Sequence, residues 1–327
     1  MKTCSYGTIF NKNATLYYLE NDNFKVSISD FGGILKEFII KTKSGNKDIV
    51  LGFDDAVAHS NSNIYAGAFI GRVANGIKGA TFNFNGKTYN LYANEENGVC
   101  NHGGKRGFDR EFYAVSNYSD TSITLSRTSV DGEENFPANL KVEVTYSLKN
   151  DGLRVDIKAE ADGDTYFAPT LHPYFNLSGK NQSVENTLIK INAQNYTVVD
   201  KTGLPNGEIA PCKNTVYDFL EFKEIGSFLY DTNFCCESEY KASAINSESG
   251  LKLDVYSNLK GVQFYVPNYE EKMLGKSGQE YKGKCAFCLE PQFYPNAVNI
   301  ESFEKPLIKK GEVKNYYIEY LVTEVKK

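Results

Sequence analysis

The sequence predicts an all-β fold, a large antiparallel β-sandwich with few short helices. Three observations support this prediction. Apolar residues recur in steps of two along several segments, turn signals lie between them, and aromatic residues are abundant. The 327 residues include 23 Tyr and 21 Phe but no Trp and 2 Met. Aromatic side chains that favour strands therefore supply much of the expected core.

Apolar residues at every second position predict strands along the chain. Four of them cover residues 24–28, 82–84, 140–148 and 153–159. Asn85-Gly86 follows the second, and Asn150-Asp151-Gly152 joins the last two. These residue types tolerate the positive φ of a tight hairpin turn, so the flanking strands are expected to be antiparallel.

The best candidate for a helix lies at residues 218–229. Phe219, Phe222, Ile225 and Leu229 can share one helical face, and Asp218 can cap it. No linker rich in Pro, Ser or Gly, no block of charge and no repeat of fixed period interrupts the chain. Residues 1–327 are therefore predicted to form a single domain.

Charge and hydropathy restrict the class of partner. The net charge is −5 and the isoelectric point is about 5.5, so no broad positive field attracts nucleic acid or an anionic membrane. Residues 1–20 lack a basic segment followed by an apolar run, and no stretch of about 18 apolar residues occurs. The expected partner is a small neutral molecule, and the expected location is the cytoplasm.

Cysteine usage favours free thiols. The 7 cysteines form an odd set scattered along a long chain. Cys285 and Cys288 have the spacing of metal ligands, but no second CxxC or HxxxH motif accompanies them, and their apolar neighbours are typical of a buried strand. No metal is predicted there.

Only 3 histidines are available for proton transfer near neutral pH. His172 lies in the segment 169–177, where Pro173 and two aromatic rings are expected to fix its ring; this suits a general acid, and a structural role in the core is the alternative. His102 lies in a glycine-rich loop, which fits either close approach to a ligand or an ordinary loop. His59 is interpreted as a solvated loop residue.

Two acids and one arginine are further candidates. Glu290 interrupts an apolar, aromatic segment; if it points inward, burial raises its pKa towards that of a base near neutral pH, and if not it faces solvent at a strand end. Asp231 is a second acid beside aromatic residues. Arg72 follows an apolar run and can clamp hydroxyls or a carboxylate. The phosphate-loop patterns GxxxxGK[ST] and GxGxxG are both absent, which argues against nucleotide binding.

Seven segments in chain order together resemble the aldose 1-epimerases over residues 24–321. They are Gly71-Arg72-Val73-Ala74-Asn75, Asn101-His102-Gly103-Gly104 with Gly107-Phe108-Asp109, Asp131-Gly132-Glu133-Glu134 leading to Pro137, the His172 segment, Asp231-Thr232-Asn233-Phe234, Gly261-Val262-Gln263-Phe264-Tyr265, and Leu289-Glu290-Pro291-Gln292. The order and spacing of the whole set are far more specific than any one motif.

The resemblance implies the galactose mutarotase-like β-sandwich, a sugar substrate, and no metal or organic cofactor. It implies Glu290 as general base and His172 as general acid. Five positions are implied to contact the sugar: Arg72, Asn75, His102, Asp231 and Gln263. The implied activity interconverts the α and β anomers of a free aldose, galactose and/or glucose, and the protein is expected to be a monomer or homodimer.

The sequence also departs from the family pattern. Gly76 occupies a position that is commonly basic, Asn101 replaces an apolar residue, Pro173 follows His172, and Thr232 stands where a His often follows the Asp. Residues 294–296 replace a more acidic ending. These changes flank hydroxyl-contacting positions, so they bear on which sugar is preferred and leave the acid and base in place.

Three other functions fit part of this pattern. A hexose-phosphate epimerase needs cationic groups at the substrate's phosphate, for which Lys105 is available. An inverting glycosidase could use Asp231 and Glu290 as its two carboxyl groups. A sugar-binding module without turnover needs the cleft alone and has no use for a matched acid and base.

Overall fold

The computed structural model describes residues 2–325, and strands dominate this part of the chain. The strands are β1 (Lys2–Ile9), β2 (Lys12–Glu20), β3 (Phe24–Ser29), β4 (Leu35–Thr42), β5 (Gly45–Asp48), β6 (Phe69–Ile70), β7 (Gly76–Ile77), β8 (Thr81–Phe84), β9 (Lys87–Asn90), β10 (Cys100–Asn101), β11 (Ala114–Tyr118), β12 (Ser122–Ser129), β13 (Leu140–Leu148), β14 (Gly152–Ala161), β15 (Thr165–Tyr166), β16 (Thr170–Leu171), β17 (Leu188–Ile191), β18 (Asn195–Val199), β19 (Pro205–Pro211), β20 (Lys223–Glu224), β21 (Asp231–Cys235), β22 (Tyr240–Asn246), β23 (Leu251–Ser257), β24 (Gly261–Tyr265), β25 (Tyr269–Leu274), β26 (Glu280–Gly283), β27 (Cys288–Gln292), β28 (Leu307–Ile308) and β29 (Val313–Glu324). The described chain has one α-helix, α1 (Ala56–Asn61), and short 3-10 turns at Lys78–Ala80, Phe108–Arg110, Glu133–Asn135 and Lys276–Gly278.

Three extended antiparallel sheets make up most of the fold. The largest has nine strands in the order β11-β12-β13-β14-β29-β23-β22-β17-β20. Two sheets have five strands each, in the orders β1-β2-β3-β4-β5 and β19-β18-β21-β24-β27. Short two-stranded ribbons complete the described part, and two of them, β6 with β16 and β7 with β10, hold site residues.

One continuous core joins the three sheets. Phe38 enters it from the first five-stranded sheet, Tyr146 and Ile318 from the nine-stranded sheet, and Phe264 from the second five-stranded sheet; all four are fully buried. Burial of each such side chain contributes roughly 1.5–3 kcal/mol relative to exposure. The predicted all-β sandwich is confirmed, and aromatic rings fill much of its interior.

The predicted strands and turns agree with the structure. The four alternating segments lie in β3, β8, β13 and β14. Asn85 and Gly86 form the two-residue turn between β8 and β9, with φ of 50° and 75°. The positive φ of both residues is the reason for an Asn-Gly pair at this turn.

The helix predicted at residues 218–229 is wrong. This segment contains bends and the short strand β20, which pairs with β17. The amide of Ile225 donates to the Thr187 carbonyl, and the Phe219 carbonyl accepts from Ile191. Phe219 is buried whereas Phe222 is exposed, so the apolar spacing did not mark one face. Backbone N–H and C=O groups of this segment form hydrogen bonds at the edge of the sheet and are not available for hydrogen bonds within a helix.

Of two predictions about individual residues, the one for the cysteines is confirmed and the one for His59 is wrong. All seven cysteines lie in the described chain and are free, as expected. His59, expected in a solvated loop, is buried in α1, where it packs edge-on against Phe53. Burial lowers the pKa of His59 to about 3, so its ring is neutral.

Between residues 2 and 325, no helix has the length and apolar character needed to cross a membrane.

Candidate active site

Three adjacent strands place polar side chains on one face of the second five-stranded sheet. Asp231 begins β21, Gln263 lies on β24, and Glu290 lies on β27 directly opposite Gln263. Gln263 donates from Nε2 to Asp231 Oδ1 at 2.6 Å. Alternation along β27 turns Leu289 towards the core and Glu290 to the opposite face, which explains how a carboxylate fits an apolar segment.

His172 is held against this face by the ribbon of β6 and β16. Its amide donates to the Ala68 carbonyl, and its carbonyl accepts from the Gly67 amide. The imidazole Nε2 then lies 3.4 Å from Glu290 Oε2, and only 4% of His172 and 2% of Glu290 are exposed. Two residues 118 positions apart in the chain therefore form a buried acid/base pair.

Burial shifts the pKa values of this pair in opposite directions. It raises the pKa of Glu290 well above its ordinary value, and the negative charge of Asp231 adds to the increase. It lowers the pKa of His172 to about 3. Both shifts favour the uncharged form, in which a carboxylic acid faces a neutral imidazole. One proton is thus available to the pair without a charge on either group.

Two tyrosine rings fix the plane of the His172 ring. Tyr174 stacks on it with centroids 4.9 Å apart and an interplanar angle of 11°, and Tyr65 lies on it at 5.9 Å and 24°. Pinning by aromatic rings was expected from the neighbours of His172. However, Phe175 turns away and packs on Phe287, so the second ring comes from Tyr65, which precedes β6.

His102 is held by the ribbon of β7 and β10. Its amide donates to the Asn75 carbonyl, and its Nδ1 accepts from the Asn75 amide at 3.1 Å. Burial lowers the pKa of His102 well below its ordinary value, with the proximity of His172 as a second cause. A neutral ring whose Nδ1 accepts must carry its proton on Nε2, so His102 offers an N–H donor at the cleft.

The loop that carries His102 is braced by the acidic motif that begins at Asp131. Glu134 accepts from the amides of Lys105 and Arg106 at 3.0 and 3.1 Å. A Cβ at Gly107 would lie 2.4 Å from the His102 carbonyl oxygen, so the loop closes only with glycine at that position. The acidic motif therefore supports the loop from behind and does not enter the cleft.

Arg72 does not join the other predicted site residues. Its guanidinium is buried and donates from Nη2 to the Ala138 carbonyl at 2.6 Å. It is absent from the walls of the cleft, whereas Gly76, four residues later, lines them. Burial lowers the pKa of Arg72 to about 10, which leaves it charged at neutral pH. Its hydrogen bond connects the segment before Asn75 to Ala138, which follows the acidic motif.

These side chains surround a polar cleft of about 360 Å³. Of the seven predicted site residues, six line it: His172, Glu290, Asn75, His102, Asp231 and Gln263. Sequence reasoning assigned no role to several other lining residues: Asn63, Tyr65, Glu95, Asn97, Thr202, Leu204 and Tyr265. Most lie in loops between short strands, where a single sequence carries no local sign of which loops meet.

One group within the described chain has the residue types of a metal site. Atoms of His172, Cys288 and Glu290 lie within 4.8 Å of one another. The Cys288 sulfur is 3.7 Å from Nδ1 of the ring, whereas Glu290 is nearest to Nε2. The two partners thus approach different ring nitrogens, an arrangement suited to proton exchange at one nitrogen and support at the other.

The fold and site together define a β-sandwich protein with a buried acid/base pair in a polar cleft, and known proteins identify its family. The sequence model of the aldose 1-epimerase family matches residues 15–321 of this chain. Galactose mutarotase of Sus scrofa is 38% identical over 315 residues, which cover 92% of this chain and 91% of that protein. Galactose mutarotase of Homo sapiens is 37% identical over 310 residues, 90% of each chain.

A solved structure agrees with this relationship. The aldose epimerase homologue from C. elegans superposes with a TM-score of 0.90 at 26% identity, over 95% of this chain and 99% of that chain. This chain belongs to the aldose 1-epimerase family.

Proposed function

We propose that this chain interconverts the α and β anomers of a free aldose, galactose or glucose, by acid/base-catalysed opening and reclosure of the sugar ring. The observation that carries the proposal is the 3.4 Å contact between His172 Nε2 and Glu290 Oε2 in a polar cleft. Anomer exchange requires one proton to leave the anomeric hydroxyl and one to reach the ring oxygen. A buried pair that holds one mobile proton meets this requirement.

The reaction begins with a proton shift within the pair. Transfer from Glu290 to His172 gives a carboxylate and an imidazolium, which are the base and the acid that ring opening needs. Glu290 takes the proton of the anomeric hydroxyl while His172 protonates the ring oxygen, and the bond from C1 to the ring oxygen breaks. The products are the open-chain aldehyde and the uncharged pair.

Reclosure reverses these transfers on the other face of the carbonyl. Rotation about C1–C2 presents that face to the hydroxyl group formed from the ring oxygen. This hydroxyl attacks C1, and its proton returns to His172 while Glu290 protonates the new anomeric oxygen. Each positioned acid or base supplies about 10²- to 10⁴-fold, or roughly 3–5 kcal/mol of barrier. The net reaction consumes no proton.

Hydroxyl recognition is assigned to the remaining polar groups of the cleft. His102 donates from Nε2, Asp231 accepts, and the side chains of Asn75 and Gln263 add amide groups. Tyr65 and Tyr265 offer ring faces and edges to the apolar side of a sugar. Arg72 contributes through its buried contact with Ala138, which supports the segment before Asn75.

The other candidate functions have less support. The residues that line the cleft within the described chain include no Lys or Arg, so a phosphorylated sugar lacks a cationic partner there. A glycosidase remains a testable alternative through Asp231 and Glu290. We further propose from the sequence that the protein is cytoplasmic, works without a cofactor, and is a monomer or homodimer.

The proposal is tested by following the optical rotation of freshly dissolved α-D-galactose and α-D-glucose with purified protein, with the buffer rate subtracted. We expect faster equilibration of at least one sugar, with no change in the final rotation. A chromogenic galactoside and a hexose 6-phosphate are assayed in parallel. Buffer-rate equilibration of both free sugars contradicts the proposal, and release of the chromophore favours the glycosidase.

A pH prediction follows from the shared proton. The pair loses activity at high pH when Glu290 gives up this proton, and at low pH when His172 gains a second one. Because the charge of Asp231 helps to raise the pKa of Glu290, Asp231→Asn is expected to move the high-pH limb of kcat/KM to lower pH. The low-pH limb, set by His172, is expected to stay in place.

The measurement is kcat/KM by polarimetry across pH for wild type, Asp231→Asn and Glu95→Gln. Glu95 lines the same cleft, but its charge is not among the causes of the Glu290 shift, so its variant serves as a matched control. If the high-pH limb does not move in Asp231→Asn, that limb does not report the loss of the Glu290 proton.

A further inference from the structure

Each nitrogen of the His172 ring has its own partner. Glu290 Oε2 lies 3.4 Å from Nε2, and Cys288 Sγ lies 3.7 Å from Nδ1. Cys288 and Glu290 are two residues apart on β27, so their side chains project from the same face of the strand. A single strand therefore contacts both ends of the imidazole. Cys288 is fully buried and is not one of the residues that line the cleft.

The chemistry on the Cys288 side favours a proton on Nδ1. Burial raises the pKa of the Cys288 thiol well above its ordinary value, and the negative charges of Glu290, when it is ionised, and of Asp231 add to the increase, so the sulfur is a neutral, weak acceptor. The backbone carbonyl of His172 also favours a protonated ring. A thiolate at the same place would hold the imidazolium and trap the mobile proton.

The chemistry on the Glu290 side is complementary. In the uncharged pair a neutral ring with its proton on Nδ1 presents the lone pair of Nε2 to the carboxylic acid, whose Oε2 lies 3.4 Å away. After the proton shift Nε2 carries the proton that goes to the sugar. In both states of the proposed reaction Nδ1 keeps its hydrogen, and only Nε2 changes. The ring needs a partner at Nδ1 that holds this hydrogen without competing for it.

We propose that Cys288 is a positioning residue, which accepts the Nδ1–H of His172 so that Nε2 is the nitrogen that exchanges the proton with Glu290 and the sugar. The inference rests on the proposed function of the pair. It gives Cys288 no contact with the substrate, because its sulfur acts only through the orientation and tautomer of His172.

The tautomer is measured directly by NMR of protein labelled with ¹⁵N-histidine, without sugar and with a chelator present. The chain has 3 histidines, and His172→Asn and His59→Asn assign their signals. We expect the His172 signals to show a protonated Nδ1 and an unprotonated Nε2 in wild type. We expect a mixture of tautomers in Cys288→Ala and recovery of the wild-type pattern in Cys288→Ser, whose hydroxyl oxygen accepts a hydrogen bond.

Kinetics supply the second readout. Cys288→Ala is expected to lower kcat on the order of tenfold with little change in KM, by analogy with the loss of an outer partner that orients a metal-bound histidine. Cys288→Ser is expected to recover most of kcat. Cys285→Ala is the matched control, because Cys285 is also a buried free thiol, lies three residues before Cys288 and does not line the cleft.

Several outcomes overturn the inference. They are a protonated Nε2 with a bare Nδ1 in wild type, wild-type kcat and tautomer in Cys288→Ala, or an equal loss in Cys288→Ser and Cys288→Ala. Because the tautomer is read without substrate, a protein with the expected tautomer and no mutarotation contradicts the proposed function alone. The opposite combination contradicts the role of Cys288 alone.

Discussion

Glu290→Gln is expected to lower kcat for anomer exchange by about 10²- to 10⁴-fold, equivalent to roughly 3–5 kcal/mol, with a much smaller effect on KM. The amide has nearly the shape of the carboxyl group but neither gives up nor accepts a proton at neutral pH. Because the raised pKa of Glu290 favours its uncharged form, the substitution also changes little in the charge of the empty cleft. The loss should therefore fall on the chemical step.

The measurement compares polarimetric kcat and KM for wild type, Glu290→Gln and the Glu95→Gln control. Thermal unfolding of each variant shows whether the fold is retained. Sugar binding to Glu290→Gln, measured by calorimetry, is expected to stay near that of wild type. A Glu290→Gln protein with wild-type kcat would place the base elsewhere in the cleft, and Asp231, whose charge acts on Glu290, is the next candidate.

The parts of the fold that the sequence predicted are those set by local patterning. Residues 140–148 and 153–159 alternate strictly, and one sheet face is buried along each, so period two appears directly in the sequence. The segment 218–229 shows the limit of this reasoning. Its apolar spacing imitates a helix, but its backbone pairs at the edge of the nine-stranded sheet. A long-range partner decided the outcome.

In the candidate site, too, features with a local sequence signal were predicted and those that depend on long-range contacts were not. Glu290 and His172 were predictable because a carboxylate in an apolar run and a histidine before a proline are locally unusual. Tyr65 carries no such signal; it reaches His172 only because β6 pairs with β16. Cys288 was interpreted as a buried strand residue, which is correct, but its contact with Nδ1 depends on the approach of a distant loop. Contacts between loops follow from topology, which one sequence does not display.

Arg72 illustrates a further limit. The motif that contains it resembles the family pattern, and a sugar-contacting role was predicted from that resemblance. In the structure its guanidinium points to the Ala138 carbonyl, whereas Asn75 and Gly76 of the same motif line the cleft. A motif places a segment near a site, but the path of the backbone within the segment decides which of its residues line the cleft.

His172→Asn is expected to lower kcat by a factor similar to that of Glu290→Gln, about 10²- to 10⁴-fold, because asparagine keeps a polar group in place of the ring but exchanges no proton. His59→Asn is the matched control for loss of a buried imidazole, since His59 lies in α1 and does not line the cleft. It is expected to lower stability without a comparable loss of kcat.

The double variant His172→Asn/Glu290→Gln tests whether the pair acts as one unit. If both residues handle a single shared proton, removal of the second residue adds little once the first is gone, and the double variant is expected to be about as slow as the slower single variant. The measurement is kcat for the four proteins as a double-mutant cycle. Multiplicative losses would instead show two independent proton transfers, and Glu290 and His172 would then exchange their protons with solvent and not with each other.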